Sequence, residues 1–116
     1  GGATNGVGPV EQMFLVQSGY TVIDNTWLWR ADHGVDGLIK NSENPVKNGL
    51  KVTADNVFAY GLASEHTIED NVLWEGDAGT TMFYQVSPVN LLPCVLVPFC
   101  VYTGAHCCRL RSCTMP

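Results

Sequence analysis

Between residues 13 and 85 the apolar positions fall in short runs, not at helical spacing. QMFLVQ, YTVI, TWLW, GLKV, NVFAYGL, NVLW and TTMFYQ are four to seven residues long, rich in β-branched and aromatic types, and separated by Asn, Asp and Gly. The best helical candidate, 62–71, offers Leu62, Ile68 and the flanking Val72, a spacing that does not fall on one helix face. The pattern therefore predicts an all-β body over residues 13–85.

The flanks differ from this body. Residues 1–12, opening GGATNGVGPV, are glycine-rich and predict a loop leading into the domain, with order starting near Met13. Residues 86–116 form an apolar, cysteine-rich and irregular tail. Within it VNLLPCVLVPFCVY is too short for a helix crossing ~30 Å of hydrocarbon, which needs about 20 residues. Pro93 and Pro98 also break helical hydrogen bonding, so no transmembrane segment is predicted. This segment reads as a buried edge, or as sequence not shaped together with the first 85 residues. A reading-frame change, a retained intron or a truncated gene would each produce such a break. The chain has 116 residues, enough for one domain, and starts without Met and without a charged-then-apolar leader, as a mature form or a fragment would.

Charge reinforces the division. Eleven acidic residues lie between Glu11 and Asp77 against four basic ones, so residues 1–85 carry a net −7, while from Val86 onward only Arg109 and Arg111 are charged. Such a body repels a phosphate backbone, which argues against nucleic acid as a partner. Five cysteines fall in the tail, Cys94, Cys100, Cys107, Cys108 and Cys113, an odd number that leaves at least one thiol without an intrachain partner. Their spacing fits no common zinc finger, and reactive or oxidised thiols are the simpler expectation. Glycine-rich phosphate loops, Gly-x-Ser-x-Gly elbows and His-Glu-x-x-His motifs are absent from the sequence, so nothing in it supports nucleotide chemistry.

Self-comparison suggests a repeat. DNTWLWRADH, from Asp24, lies on DNVFAYGLASEH, from Asp55, with a two-residue insertion, and a third Asp-Asn opens DNVLWEGD at Asp70. Each copy runs from Asp-Asn through a β-branched residue into an aromatic-rich strand. This predicts a solenoid whose short strands stack ~4.8 Å apart, with Asn at the corners because it tolerates left-handed backbone angles. The Asp-Asn pairs are then turn chemistry.

The stretches YTVIDNTWLWRADHG, NPVKNGLKVTADNVFAYGLASEHT and NVLWEGDAGTTMFYQ, in that order, resemble secreted fungal and bacterial proteins with a right-handed parallel β-helix. Those proteins belong to the pectin-lyase-like group and are similar to α-1,3-glucanase-type polysaccharide hydrolases. The resemblance covers about residues 20–85. It implies a β-helix fragment of about three or four coils at 20 to 30 residues each, a secreted location and a polysaccharide partner.

With the two copies on neighbouring coils, Asp32-His33 is expected beside Glu65-His66. Polysaccharide hydrolysis needs two carboxyls, one protonating the leaving oxygen and one activating water or attacking carbon. Asp32 and Glu65 are the expected pair, His33 and His66 their orienting or proton-shuttling neighbours, and Glu75 in WEGDAG a reserve acid. Plain strand-end hydrogen bonding accounts equally for the histidines. Metal binding by His33, His66, Asp32 and Glu65 is chemically conceivable, but no cofactor or metal is expected. A calcium-dependent lyase route is weaker, because Arg30 and Lys51 are the only nearby bases. Trp29, Tyr60 and Trp74 near the strand ends make a stacking platform for sugar rings if they point outward, and core if they point inward. The alternatives to hydrolysis are a non-catalytic glycan-binding or structural module, and a truncated or mistranslated product without activity.

Overall fold

A computed structural model describes residues 8–34, 37, 38, 40, 42–87, 95–102 and 108–111. Among these there is no helix; the described residues are all-β and form twelve strands. They are β1 (Val10–Val16), β2 (Val22–Asp24), β3 (Trp27–Trp29), β4 (His33–Gly34), β5 (Gly37–Leu38), β6 (Val46–Val52), β7 (Phe58–Tyr60), β8 (Ala63–Glu65), β9 (Asp70–Trp74), β10 (Gly79–Ser87), β11 (Val95–Tyr102) and β12 (Cys108–Arg111).

The chain passes the same track three times. One sheet runs β1-β6-β9-β12 and a second runs β2-β7-β10-β8-β3, with β11 pairing β10. Pairing between passes is parallel throughout: Val16 opposes Val52, which opposes Trp74; Val22 opposes Phe58, which opposes Thr80; Trp27 opposes Ala63, which opposes Gln85. The second and third passes are thus offset by 22 residues at every strand, and the first and second by 36. The 14 additional residues all fall after Trp29, where the chain leaves the stack and makes the small antiparallel pair β4-β5 before rejoining at Val46. β11 and β12 pair antiparallel with β10 and β9.

The corners follow the same offsets. Tyr20, Asn56 and Ala78 all take left-handed backbone angles, with φ of 55°, 57° and 52°, and so do Asn25, Gly61 and Phe83, at 47°, 63° and 53°. Each trio differs by 36 and then 22 residues, so each is one column of stacked bends. A sharp turn between short strands requires positive φ at one position, and the requirement repeats on every pass. Two of the expected corner asparagines, Asn25 and Asn56, do occupy such positions, but in different columns.

The repeat in the sequence does not match the repeat in space. Asp24 opposes Tyr60, not Asp55, and Asp70-Asn71 is buried inside β9 instead of forming a corner. The Asn71 side chain closes the preceding turn instead, its Oδ1 accepting from the Thr67 hydroxyl at 2.8 Å. The shared Asp-Asn pairs reflect two separate uses of turn-favouring residues. All seven runs singled out in the sequence contribute to strands, whereas β8, with the sequence ASE, carries no apolar signal and is drawn into the sheet by its neighbours β3 and β10.

Inside the stack lies a continuous apolar core of Val16, Ile23, Leu50, Val52, Val57, Ala59, Leu62, Val72, Trp74, Tyr84 and Val86, with Leu28 and Ala54 packed against it. Burial of each large side chain stabilises the fold by roughly 1.5–3 kcal/mol. Close packing leaves no room for a Cβ at several glycines, Gly49, Gly76 and Gly79 most sharply. A Cβ on Gly49 would sit 1.9 Å from the Ser64 hydroxyl, and one on Gly79 would sit 2.4 Å from the Trp74 ring.

Candidate functional site

Side chains alternate across a strand, and this sets the outer face of β3, β8 and β10. Leu28, Ser64 and Val86 turn inward: Leu28 packs on the core, and Ser64 donates from its hydroxyl to the Asn71 carbonyl at 2.6 Å. Trp27, Trp29, Ala63, Glu65 and Gln85 therefore share the other face. The small side chain of Ala63, between Trp27 and Gln85 in the ladder, leaves space that the Glu65 carboxylate fills. Trp27 Nε1 donates to Glu65 Oε2 at 3.0 Å and Gln85 Nε2 donates to Oε1 at 2.8 Å. Glu65 is consequently only 6% exposed although it stands on the outer face, and it ties all three passes together.

Beside it is a cleft of about 350 Å³ lined by Asn25, Thr26, Trp27, Gly61, Ala63 and Gln85. Trp27 is 66% exposed at its edge, and its ring centroid lies 6.0 Å from that of Trp29, tilted by 38°. Trp29 in turn packs against His33, with centroids 5.5 Å apart. Trp27 and Gln85 are not among the site residues expected from the sequence. Trp27 was marked by standing two residues before Trp29, on the same face of the same strand; Gln85 becomes visible only once the 22-residue offset is known.

Next to the tryptophans is the acid–histidine group. Asp32 Oδ1 is 2.8 Å from His33 Nδ1, and its Oδ2 is 3.3 Å from His66 Nε2. Burial alone would raise the Asp32 carboxyl, but the hydrogen bond with His33 and the charges of His66 and His33 outweigh it and hold it below the ordinary carboxylate value. The structure thus brings Asp32, His33 and His66 together. Glu65, which precedes His66 in the chain, is engaged with Trp27 and Gln85. Among the described residues no cluster of three or more His, Cys, Asp and Glu could hold a metal ion.

The remaining predicted site residues are elsewhere. Glu75, the residue after β9 in the other sheet, pairs with Lys51 of β6 at 3.4 Å. Trp74 is 1% exposed within the core and so cannot form part of a stacking platform; its place in β9 opposite Val52 points it inward. Tyr60 is 41% exposed and sits against Phe83. The bases considered for a lyase route are both committed to other contacts. Arg30 is buried and donates from Nε to the Asn44 carbonyl at 2.9 Å and from its terminal nitrogens to those of His66 and Lys40 at 3.1 Å. Burial lowers its pKa and the Asp32 charge offsets part of that effect. Arg30 fastens the 14-residue excursion, and with it Asp32 and His33, to the second pass. The five cysteine side chains lie outside the described residues.

A chain that stacks parallel strands in register and carries an aromatic, acid-bearing outer face is a pectate-lyase-like domain in architecture. Residues 1–87 match the LAM55 pectate lyase-like domain, and the chain belongs to that family. It is 45% identical over 85 residues to an exo-beta-1,3-glucanase of Streptomyces sp. (strain SirexAA-E / ActE), an alignment that covers 73% of this chain and 13% of the relative. Two solved structures of sacteLam55A from Streptomyces sp. SirexAA-E are also similar, each at 40% identity. One, a variant in complex with glucose, matches with a TM-score of 0.67 over 76% of this chain and 16% of that one. The other matches with a TM-score of 0.66 over 72% and 15%. The chain therefore spans about one-seventh of the length of these relatives. The linkage in the relative's name is β-1,3, where the resemblance in the sequence pointed to α-1,3, and the relative is bacterial.

Proposed function

We propose that this chain is part of a secreted glucan-acting protein, with residues 10–87 forming three coils of a right-handed parallel β-helix, and that its outer face at β3, β8 and β10 contacts polysaccharide. The observation that carries this reading is the cleft beside Trp27. A mostly exposed tryptophan in a shallow, open cleft lined also by Asn25, Thr26 and Gln85 offers a flat apolar surface with polar neighbours. A pyranose ring presents the complementary combination of an apolar face and equatorial hydroxyls. The similarity to an exo-beta-1,3-glucanase supports a β-1,3-glucan as the ligand. A polymer of this kind is met outside the cell, in keeping with secretion.

A second reading, hydrolysis through Asp32 and Glu65, is favoured by one observation: Asp32 is flanked by two imidazoles that keep it ionised, as a base or nucleophile must be. Against it, both Glu65 oxygens already accept hydrogen bonds, one from Trp27 and one from Gln85. Contact without cleavage is the reading the geometry supports better.

The test is titration of the 116-residue chain with linear β-1,3-gluco-oligosaccharides, from disaccharide to hexasaccharide, reading tryptophan fluorescence and reducing sugar together. Saturable quenching without sugar release, weakened about tenfold or more by Trp27→Ala, is the expected result. Release of reducing sugar that Asp32→Asn and Glu65→Gln both abolish would replace it with the hydrolytic reading. Absence of any quenching by the whole series would overturn the glucan assignment.

A further inference from the structure

The cleft beside Trp27 leaves a second aromatic group on this surface unexplained. Tyr60 and Phe83 are 41% and 50% exposed, their rings packed edge to face with centroids 5.4 Å apart and planes at 84°. Phe83 is the third member of the column that begins with Asn25 and Gly61, and its φ is 53°. Asn and Gly enter left-handed backbone with little strain, whereas a bulky ring-bearing residue does so only under strain. The stack therefore demands a bend at this position on each pass but does not demand a phenylalanine. The ring is not part of the buried core either. A strained residue whose side chain is neither needed for the turn nor buried is a candidate for contact with something outside the protein.

Its position says where. Asn25 and Gly61, the preceding members of the column, line the cleft that Trp27 borders, and Tyr60 adjoins Gly61. Phe83 lies on the third pass and Trp27 on the first, two rungs or about 10 Å apart along the stack. We infer that Tyr60 and Phe83 form a second sugar-contact platform, so that one glucan chain lies across all three passes, touching Trp27 at one end and Phe83 at the other. This inference rests on the glucan reading of the cleft and adds to it a dependence on chain length. The short ligand fills the Trp27 end alone; only a longer one reaches Phe83.

The discriminating variants are Phe83→Asn and Phe83→Gly, which install the residue types already found in the column. Isothermal titration with the same oligosaccharide series is expected to show unchanged affinity for the disaccharide and a roughly two- to tenfold loss for the longest members, so that the gain with length disappears. Thermal melting of both variants is expected at or above the temperature of the parent, because the strained backbone is relieved. Parent-like affinity of Phe83→Asn for every length would overturn the platform. A lowered melting temperature for Phe83→Asn would also overturn it, since the ring would then be serving the fold. If no oligosaccharide binds the parent at all, the glucan reading fails, an outcome distinct from either of these.

Discussion

Gly79→Ala should destabilise this protein by an amount that can be reasoned from one contact. The added Cβ would stand 2.4 Å from Cζ2 and Nε1 of Trp74 and 2.5 Å from Cε2. Favourable carbon contacts begin near 3.5 Å, so the ring, the backbone or both must yield by about 1 Å. Trp74 cannot swing away, because it is 1% exposed and packed among Val52, Val72 and the rest of the core. Forcing an extra carbon into such a site costs roughly 1–3 kcal/mol. For a domain of this size that corresponds to a fall in melting temperature of about 4 to 12 °C. Near-ultraviolet circular dichroism during heating reads the transition through the tryptophans themselves. Trp74→Leu removes the indole atoms that the new methyl would strike, so the double variant should be more stable than the sum of the two single losses, with a coupling of about 1 kcal/mol or more. A Gly79→Ala protein that melts with the parent would refute the close approach of β9 and β10, and an additive double variant would place the loss somewhere other than this contact.

Two further outcomes are expected. Arg30→Met strips the donor from the carbonyls of Lys40, Asn44 and His66 and should cost at least about 3 kcal/mol; denaturant unfolding measures it, and limited proteolysis should gain cuts within 31–45, with Arg30→Lys rescuing little because one ammonium cannot reach three acceptors. An unchanged midpoint and digest would show that the excursion is held by other contacts. The Asp32 carboxyl, held below its ordinary 3.8, stabilises the fold fully above that pH and loses this contribution as the pH falls through the lower folded-state value. Asp32→Asn should therefore be less stable near neutrality and show a shallower loss between about pH 4 and more acid conditions; parallel acid limbs for the two proteins would contradict that sign.

Much of the architecture could be read from periodicity, because a half-buried strand imposes alternation on its residues whatever its neighbours are. Register could not. Asp-Asn looked like a column marker, but the columns are set by positive φ, a demand that Tyr20, Asn56 and Ala78 meet as well as Asn25 and Gly61 do. Identity at a corner is therefore a poor guide, while spacing is a good one. The same reasoning explains β8, where pairing on both sides makes a strand of Ala-Ser-Glu. Asp32, His33 and His66 were expected together and do meet, although the 31-to-33-residue offset used to align them differs from the true 36; the excursion after Trp29 carries Asp32 back onto His66. Trp29 and Trp74 are indistinguishable in the sequence, since both close an aromatic run, and only the side of the pleat separates one at the surface from one in the core.

The uneven offsets identify where this scaffold tolerates growth. Every rung and bend is shared between passes except the corner after Trp29, which alone absorbs 14 residues without disturbing a single pairing on either side. Lengthening a loop costs only the slow logarithm of its size, so other segments of different length and composition could replace this one at small thermodynamic cost provided a buried cation like Arg30 still clamps the base. Specificity for different ligands would then be a matter of exchanging one protrusion beside an invariant wall.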